Sequence, residues 1–139
     1  MKVGRILVPV DFSPCSDAAL EWALSMAETW GAEVEILHVW SPRVRAIFAE
    51  TPEGLALAQR LSAAENAHAA RVSGRLEFGE DPSTVILSIL ARERFDLVVL
   101  GSHGDGGRAP SSGHVATQVA TVAPCKVVRL GSSGEPEAA

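Results

Sequence analysis

Two stretches of this 139-residue chain place residue types that can do chemistry close together. One is Gly101-Ser102-His103-Gly104-Asp105-Gly106-Gly107, running on to Gly113. A glycine-rich stretch that leads into a helix offers unobstructed backbone N–H groups, and the helix dipole adds attraction for an anion. Glycine also accepts the positive φ angles that such a loop needs. A phosphate-bearing ligand is the functional reading; a loop whose glycines only serve turns is the plain one. No Gly-Lys-Ser/Thr follows, so this is no Walker loop, and the spacing is not that of the dinucleotide fingerprint. The other stretch is Pro9-Val10-Asp11, a carboxylate at the end of an apolar run. His103 and His114 lie in or beside the glycines, and a carboxylate such as Asp11 could orient an imidazole base. Cys15 falls in the first turn of a helix, where the dipole lowers a thiol pKa, although a small buried residue is the simpler reading. Cys125 reads as packing, His38 as a hydrogen-bonded core histidine, and His68 as a solvated helix position. No His/Cys/Asp grouping has metal-ligand spacing, so no metal site is expected.

These residues need a scaffold, and the apolar pattern supplies one. Ile6-Leu7-Val8-Pro9-Val10 reads as a strand buried on both faces. Ser13 and Pro14 then start a helix as cap and first residue, and Gly31 stops it. Val34 to Trp40 is a second strand, so the first forty residues form a βαβ unit. Ser41–Glu50 is a loop; Pro52 to about Ala70 is helical by propensity. Leu76-Glu77-Phe78 suggests a short third strand, and Asp81-Pro82 repeats the cap-plus-proline start. Arg92 and Arg94 suit the last turn of that helix. Leu97-Val98-Val99-Leu100 is an apolar and therefore central fourth strand. Val115, Val119 and Val122 mark a short helix after the glycines, and Val127, Val128 and Leu130 a last strand. The alternation specifies an α/β fold: a single-domain open five-stranded parallel sheet with helices on both faces. The domain is expected over 1–131, with 132–139 a flexible C-terminal tail. Ligands in such sheets bind beyond the carboxyl ends of the strands, where the strand order reverses.

Composition narrows the function classes. With 47% hydrophobic and 21% charged residues the chain is an ordinary folded domain. Its net charge of −5 disfavours a nucleic-acid partner, which needs a basic face. No apolar run approaches the roughly 20 residues of a spanning helix, so no membrane partner is expected. The N-terminus lacks the long apolar region of a signal peptide. Two cysteines 110 positions apart make no disulfide framework, and a reducing cytoplasm is expected.

In order along the chain stand Ile6-Leu7-Val8-Pro9-Val10-Asp11-Phe12-Ser13, Ile36-Leu37-His38-Val39, Gly79-Glu80-Asp81-Pro82, Leu97-Val98-Val99-Leu100-Gly101-Ser102-His103-Gly104 and Ala123-Pro124-Cys125-Lys126-Val127-Val128. Together they resemble the universal stress protein (UspA-like) family over nearly the whole length. The resemblance implies a Rossmann-like domain of the adenine nucleotide alpha hydrolase-like arrangement, homodimeric through its last strand. For one branch it also implies ATP, with Mg²⁺, held between the first and fourth strands. In that branch a Gly-x2-Gly-x9-Gly-Ser/Thr pattern holds the phosphates. Gly101 and Gly104 match it; then eight residues, not nine, precede Gly113, and His114 replaces the hydroxyl residue. Asp105 stands where the family is more often basic, and Arg108 could offset its charge.

Carried over by position, Asp11 is expected near the ribose, and Pro9, Val39 and Leu100 near the adenine wall, with Val10 a further nucleotide-binding candidate. Gly101, Gly104 and Gly113 match phosphate contacts, His114 could donate to a phosphate, Val115 offers an amide at a helix start, and Ser102 and His103 are further nucleotide-binding candidates. His103 lies inside the family's common loop pattern, so no catalytic residue is assigned. Three readings stay open: a dimeric nucleotide-binding regulatory protein of the stress response without efficient catalysis, a nucleotide-independent dimeric interaction module, and a weak ATPase. The dimer has a physical motive as well, because an apolar last strand at a sheet edge invites pairing.

Overall fold

Strands and helices alternate from Arg5 to Leu130 in the order the apolar spacing predicts. A computed structural model describes residues 3–40, 52–102, 110–131 and 136. The elements are β1 (Arg5–Pro9), α1 (Pro14–Trp30), β2 (Glu33–Trp40), α2 (Pro52–Ala67), β3 (Arg71–Phe78), α3 (Pro82–Arg92), β4 (Leu97–Gly101), α4 (Pro110–Val122) and β5 (Lys126–Leu130). The five strands form one parallel sheet in the order β3-β2-β1-β4-β5. From β1 the chain moves outward through β2 to β3, then crosses back to lay β4 on the other side of β1. The order therefore reverses between β1 and β4, and their carboxyl ends flank the crevice. The ladder between them joins Ile6 to Leu97 and Leu7 to Val98. Pro9 has no N–H with which to extend it.

Successive residues of β1 and β4 face opposite sides, which is why both strands are apolar throughout. Ile6, Val8, Val34, Ile36, Leu97 and Val99 pack with Ala19, Leu20, Ala23, Leu24 and Ala27 of α1 and with Leu57 of α2. Leu7, Leu37, Val98 and Leu100 pack with Ile86 and Ile89 of α3 and with Ala116 and Val119 of α4. The small alanine face of α1 lets that helix lie close over the centre of the sheet. Ser13 caps α1 by accepting from Ser16 N, Pro14 follows at the first position, and Gly31 ends the helix at φ 68.

Several boundaries differ from the sequence reading, each for a local reason. β3 runs from Arg71, not from Leu76, and pairs with β2 along its whole length. It is an edge strand, where Arg71, Ser73 and Arg75 are tolerated, and those residues hide its first half. α2 ends at Ala67, ahead of the expected Ala70. Arg94 lies beyond α3, and its carbonyl accepts from Arg5 Nη1. Asp81 stands at the cap position of α3, but its carboxylate accepts from the Ser83 and Thr84 hydroxyls instead of a backbone N–H. His68 is not solvated: its side chain is only 9% exposed, held between the carboxylates of Glu21 and Glu28. The Ser41–Glu50 loop lies outside the described residues. Beyond β5, Pro136 makes an isolated antiparallel bridge with Leu130.

Candidate ligand site at the strand-order reversal

The turn from β1 into α1 brings a carboxylate to the crevice. Val10 continues β1 by one residue, donating its amide to Leu37 O at 2.8 Å, while its side chain is buried among the residues under α1 and α2. Its carbonyl accepts from His38 Nδ1 at 3.0 Å. Asp11 follows, exposed. Its Oδ1 accepts from Ser13 N at 3.1 Å and from Ser13 Oγ at 2.6 Å, and its own amide donates to Ser16 Oγ at 3.3 Å. Among the described residues nothing bonds Oδ2. Between Asp11 and Ser13, Phe12 adopts φ 65, the one positive φ outside glycine among the described residues. A bulky side chain in that region costs on the order of 1–3 kcal/mol and persists only where its surroundings hold it.

The ring of Phe12 shows what holds it. It lies 4.6 Å from the His38 ring, centroid to centroid, and the Arg60 guanidinium sits 5.3 Å over it. Arg60 in turn makes a bidentate pair with Asp17 of α1, at 3.1 and 3.0 Å. Phe12, His38 and Arg60 escaped the sequence reading as supports of Asp11. A phenylalanine in a turn and an arginine in a helix carry no special spacing; only the backbone angle exposes their role.

β4 brings the other wall. A Cβ on Gly101 would lie 2.8 Å from the carbonyl carbon of Cys15 and 2.9 Å from the amide of Ser16. Glycine here is thus required by the close approach of the first turn of α1 to the end of β4, quite apart from any ligand. Cys15, beneath it, is buried as packing. Ser102 is buried and donates its amide to Leu130 O at 2.9 Å. Leu100, with Val39 and Val115 half-buried beside it, belongs to the apolar cluster under α3 and α4, and Pro9 is half-buried at the end of β1. The structure therefore gathers Val39, Leu100 and Val115 on one face of the sheet, whereas the side chain of Val10 is on the other.

α4 starts at Pro110, so Gly113 and His114 are inside it and not ahead of it. Val115 then lies in the second turn, where its amide pairs within the helix, and the open amides belong to the first turn instead. This corrects the expectation of a Val115 amide at the helix start; the Pro-Ser-Ser start was hidden by the glycines around it. His103, Gly104, Asp105 and Arg108 lie outside the described residues, as does the side chain of His114. Among the described residues no group of three or more His, Cys, Asp or Glu could hold a metal ion.

The model of the universal stress protein family matches residues 2–130. This chain belongs to the universal stress protein family. Among solved structures it is similar to universal stress protein UspA from Lactobacillus plantarum, at 25% identity and TM-score 0.76, covering 94% of this chain and 99% of that one. It shares its fold with a universal stress protein solved in complex with cAMP, at 20% identity and TM-score 0.76, covering 95% and 99% of the two chains. An Arabidopsis thaliana protein of the family, solved with AMP bound, has the same fold at 23% identity and TM-score 0.67, covering 92% of this chain and 90% of that one. No curated protein matches the chain by sequence. The match takes in every element from β1 to β5, and no described helix is long and apolar enough to cross a membrane.

Proposed function

We propose that this universal stress protein binds an adenine nucleotide at the reversal between β1 and β4 and acts as a regulatory protein of the stress response. The observation that carries the reading is Asp11 at the carboxyl end of β1, with Oδ1 committed to Ser13 and Oδ2 unbonded among the described residues. A carboxylate so held is an acceptor for a ribose hydroxyl. Val39 and Val115, half-buried against the cluster that holds the buried Leu100, give an apolar surface to one side for a base. Relatives solved with AMP and with cAMP support an adenine nucleotide as the ligand class. ATP with Mg²⁺ is the form proposed, its phosphates lying toward Gly101, Gly104 and the first turn of α4. Binding without efficient chemistry is proposed as well: His38, the described imidazole beside Asp11, is buried and already donates from Nδ1 to Val10 O. The two described free cysteines suit a reducing cytoplasm.

Calorimetric titration of nucleotide-free protein with ATP and Mg²⁺ tests this. A saturable isotherm, weakened roughly tenfold or more by Asp11→Ala, is expected from the loss of a charged hydrogen bond. Gly104→Val should abolish it if that loop cradles the phosphates. No heat and no thermal stabilisation at saturating ATP would contradict the reading and leave a nucleotide-independent interaction module.

The homodimer is proposed through β5, an outermost strand of the sheet. Leu130 pairs with Gly101 on the β4 side, so its bridge to Pro136 occupies the outer edge at that residue. The outer edge from Lys126 to Arg129 would take the second copy. Sedimentation at micromolar concentration should show a dimer; monomer alone would refute it.

A further inference from the structure

One buried histidine touches the chain on both sides of Asp11. His38 lies within hydrogen-bond distance of Val10 O through Nδ1, and a carbonyl only accepts, so that nitrogen carries the proton. The same ring packs against Phe12 at 4.6 Å, with the planes tilted by 37°. Phe12 is held from its other neighbour, α2, by the Arg60 guanidinium, which Asp17 fixes in place.

We propose that His38 and Phe12 are positioning residues that set the Asp11 carboxylate for one ribose hydroxyl, making the site select ribonucleotides over deoxyribonucleotides. This rests on the nucleotide reading above. Asp11 Oδ1 bonds the amide and the hydroxyl of Ser13, so the direction of Oδ2 follows from the backbone of the Asp11–Ser13 turn. That turn needs φ 65 at position 12, which glycine would supply without strain. A phenylalanine there supplies something glycine lacks, and its ring contacts are what distinguish the two. The ring ties the turn to β2 through His38 and to α2 through Arg60. A free turn would let the carboxylate sample many directions, each taken from water; a clamped one offers an acceptor already aimed. A sugar lacking the matching hydroxyl leaves Oδ2 to water and gains nothing from the clamp.

The test compares AMP with 2′-deoxy-AMP and 3′-deoxy-AMP by calorimetry on the wild type, Phe12→Gly, His38→Phe and His38→Asn. Exchange rates of the Asp11 and Ser13 amides in the ligand-free proteins are read by NMR alongside. Phe12→Gly removes the ring while easing the backbone, and His38→Phe keeps a ring but deletes the donor to Val10. His38→Asn keeps a donor near Nδ1 and deletes the ring. The wild type should prefer AMP by roughly tenfold over the analogue lacking the bonded hydroxyl, the worth of one charge-assisted hydrogen bond. Phe12→Gly and His38→Phe should bring that ratio close to one, leave affinity for the deoxy analogue unchanged, and speed exchange at Asp11 and Ser13. His38→Asn should fall between, which a merely structural role would not produce. A folded, nucleotide-binding Phe12→Gly with the wild-type ratio and exchange rates overturns the clamp alone. A wild type that binds none of the three nucleotides overturns the ligand reading, and ribose selection with it.

Discussion

The two ends of the sheet treat their polar groups in opposite ways. At the amino end, charges satisfy one another. Asp96 accepts from the amides of Gly4 and Arg5 at 2.8 and 3.0 Å, fastening the start of β1. Arg5 reaches Glu33 at 3.1 Å and lies 4.2 Å over the Phe95 ring. On the same face Arg75 bonds Glu35 and Glu77, each at 3.0 Å, and also Glu93. A cleft of about 110 Å³ opens there among Arg5, Glu33, Glu35, Arg71 and Phe95, but its charges are already paired across it. At the carboxyl end, a strained phenylalanine, a glycine wedged against a helix and a half-bonded aspartate face the crevice. A network closed on itself stabilises the fold; an acceptor held in place but left half-bonded suits a partner from outside.

Substitutions should separate the two ends. The largest effect is expected at Gly101, where an added methyl meets backbone that cannot step aside. Gly101→Ala should lower stability by about 2–3 kcal/mol in denaturant unfolding. That is a large share of the roughly 5–15 kcal/mol typical of a domain. A Gly101→Ala protein as stable as wild type would show that α1 does not press on the end of β4. Arg75→Met comes next. It leaves three glutamates without their common partner and should cost about 1–2 kcal/mol while nucleotide affinity stays the same. A change in affinity would mean the two ends are coupled.

The pH dependence is smaller and its sign is fixed. The backbone amides of Gly4 and Arg5 hold the Asp96 carboxyl below its ordinary value, and the hydrogen bond from Arg75 does the same to Glu93. A depressed carboxylate stabilises above its unfolded pKa, and that stability is lost as pH falls through the folded value. Melting temperature should therefore drop below about pH 4. Asp96→Asn should cost roughly 1 kcal/mol at neutral pH, with the gap to wild type closing in acid; a constant gap would contradict the assignment. The smallest effect concerns Cys125, whose thiol is pushed up by burial, with the Asp96 charge adding to it. Its alkylation near neutral pH should be slower in the folded protein than in denaturant, and equal rates would refute its burial.

What could be read from the residues follows from what each pattern encodes. Apolar runs at Ile6–Val8 and Leu97–Leu100 announce strands covered on both sides, and Ser13-Pro14 and Gly31 announce helix ends, so the fold was legible. β3 was half-read because an edge strand needs no apolar alternation. Asp11 and Gly101 could be placed at the crevice because chain order fixes where the sheet reverses. The clamp of Phe12 by His38 and Arg60 was not legible, since it joins residues 26 and 48 positions apart through a backbone angle that no residue type signals. Nor could spacing say that Gly101 serves the packing of α1, because a phosphate and a helix ask the same thing of a glycine.

The central claim is that the carboxyl end, not the amino end, receives the ligand. Titrating ¹⁵N-labelled protein with ATP and Mg²⁺ and following the backbone amides tests it most directly. Shifts concentrated at Asp11, Phe12, Val39, Leu100, Gly101 and Val115, with Arg5, Glu33 and Arg75 unmoved, are the predicted result. Shifts centred on Arg5, Glu33 and Arg75, or no saturable shift anywhere, would contradict it.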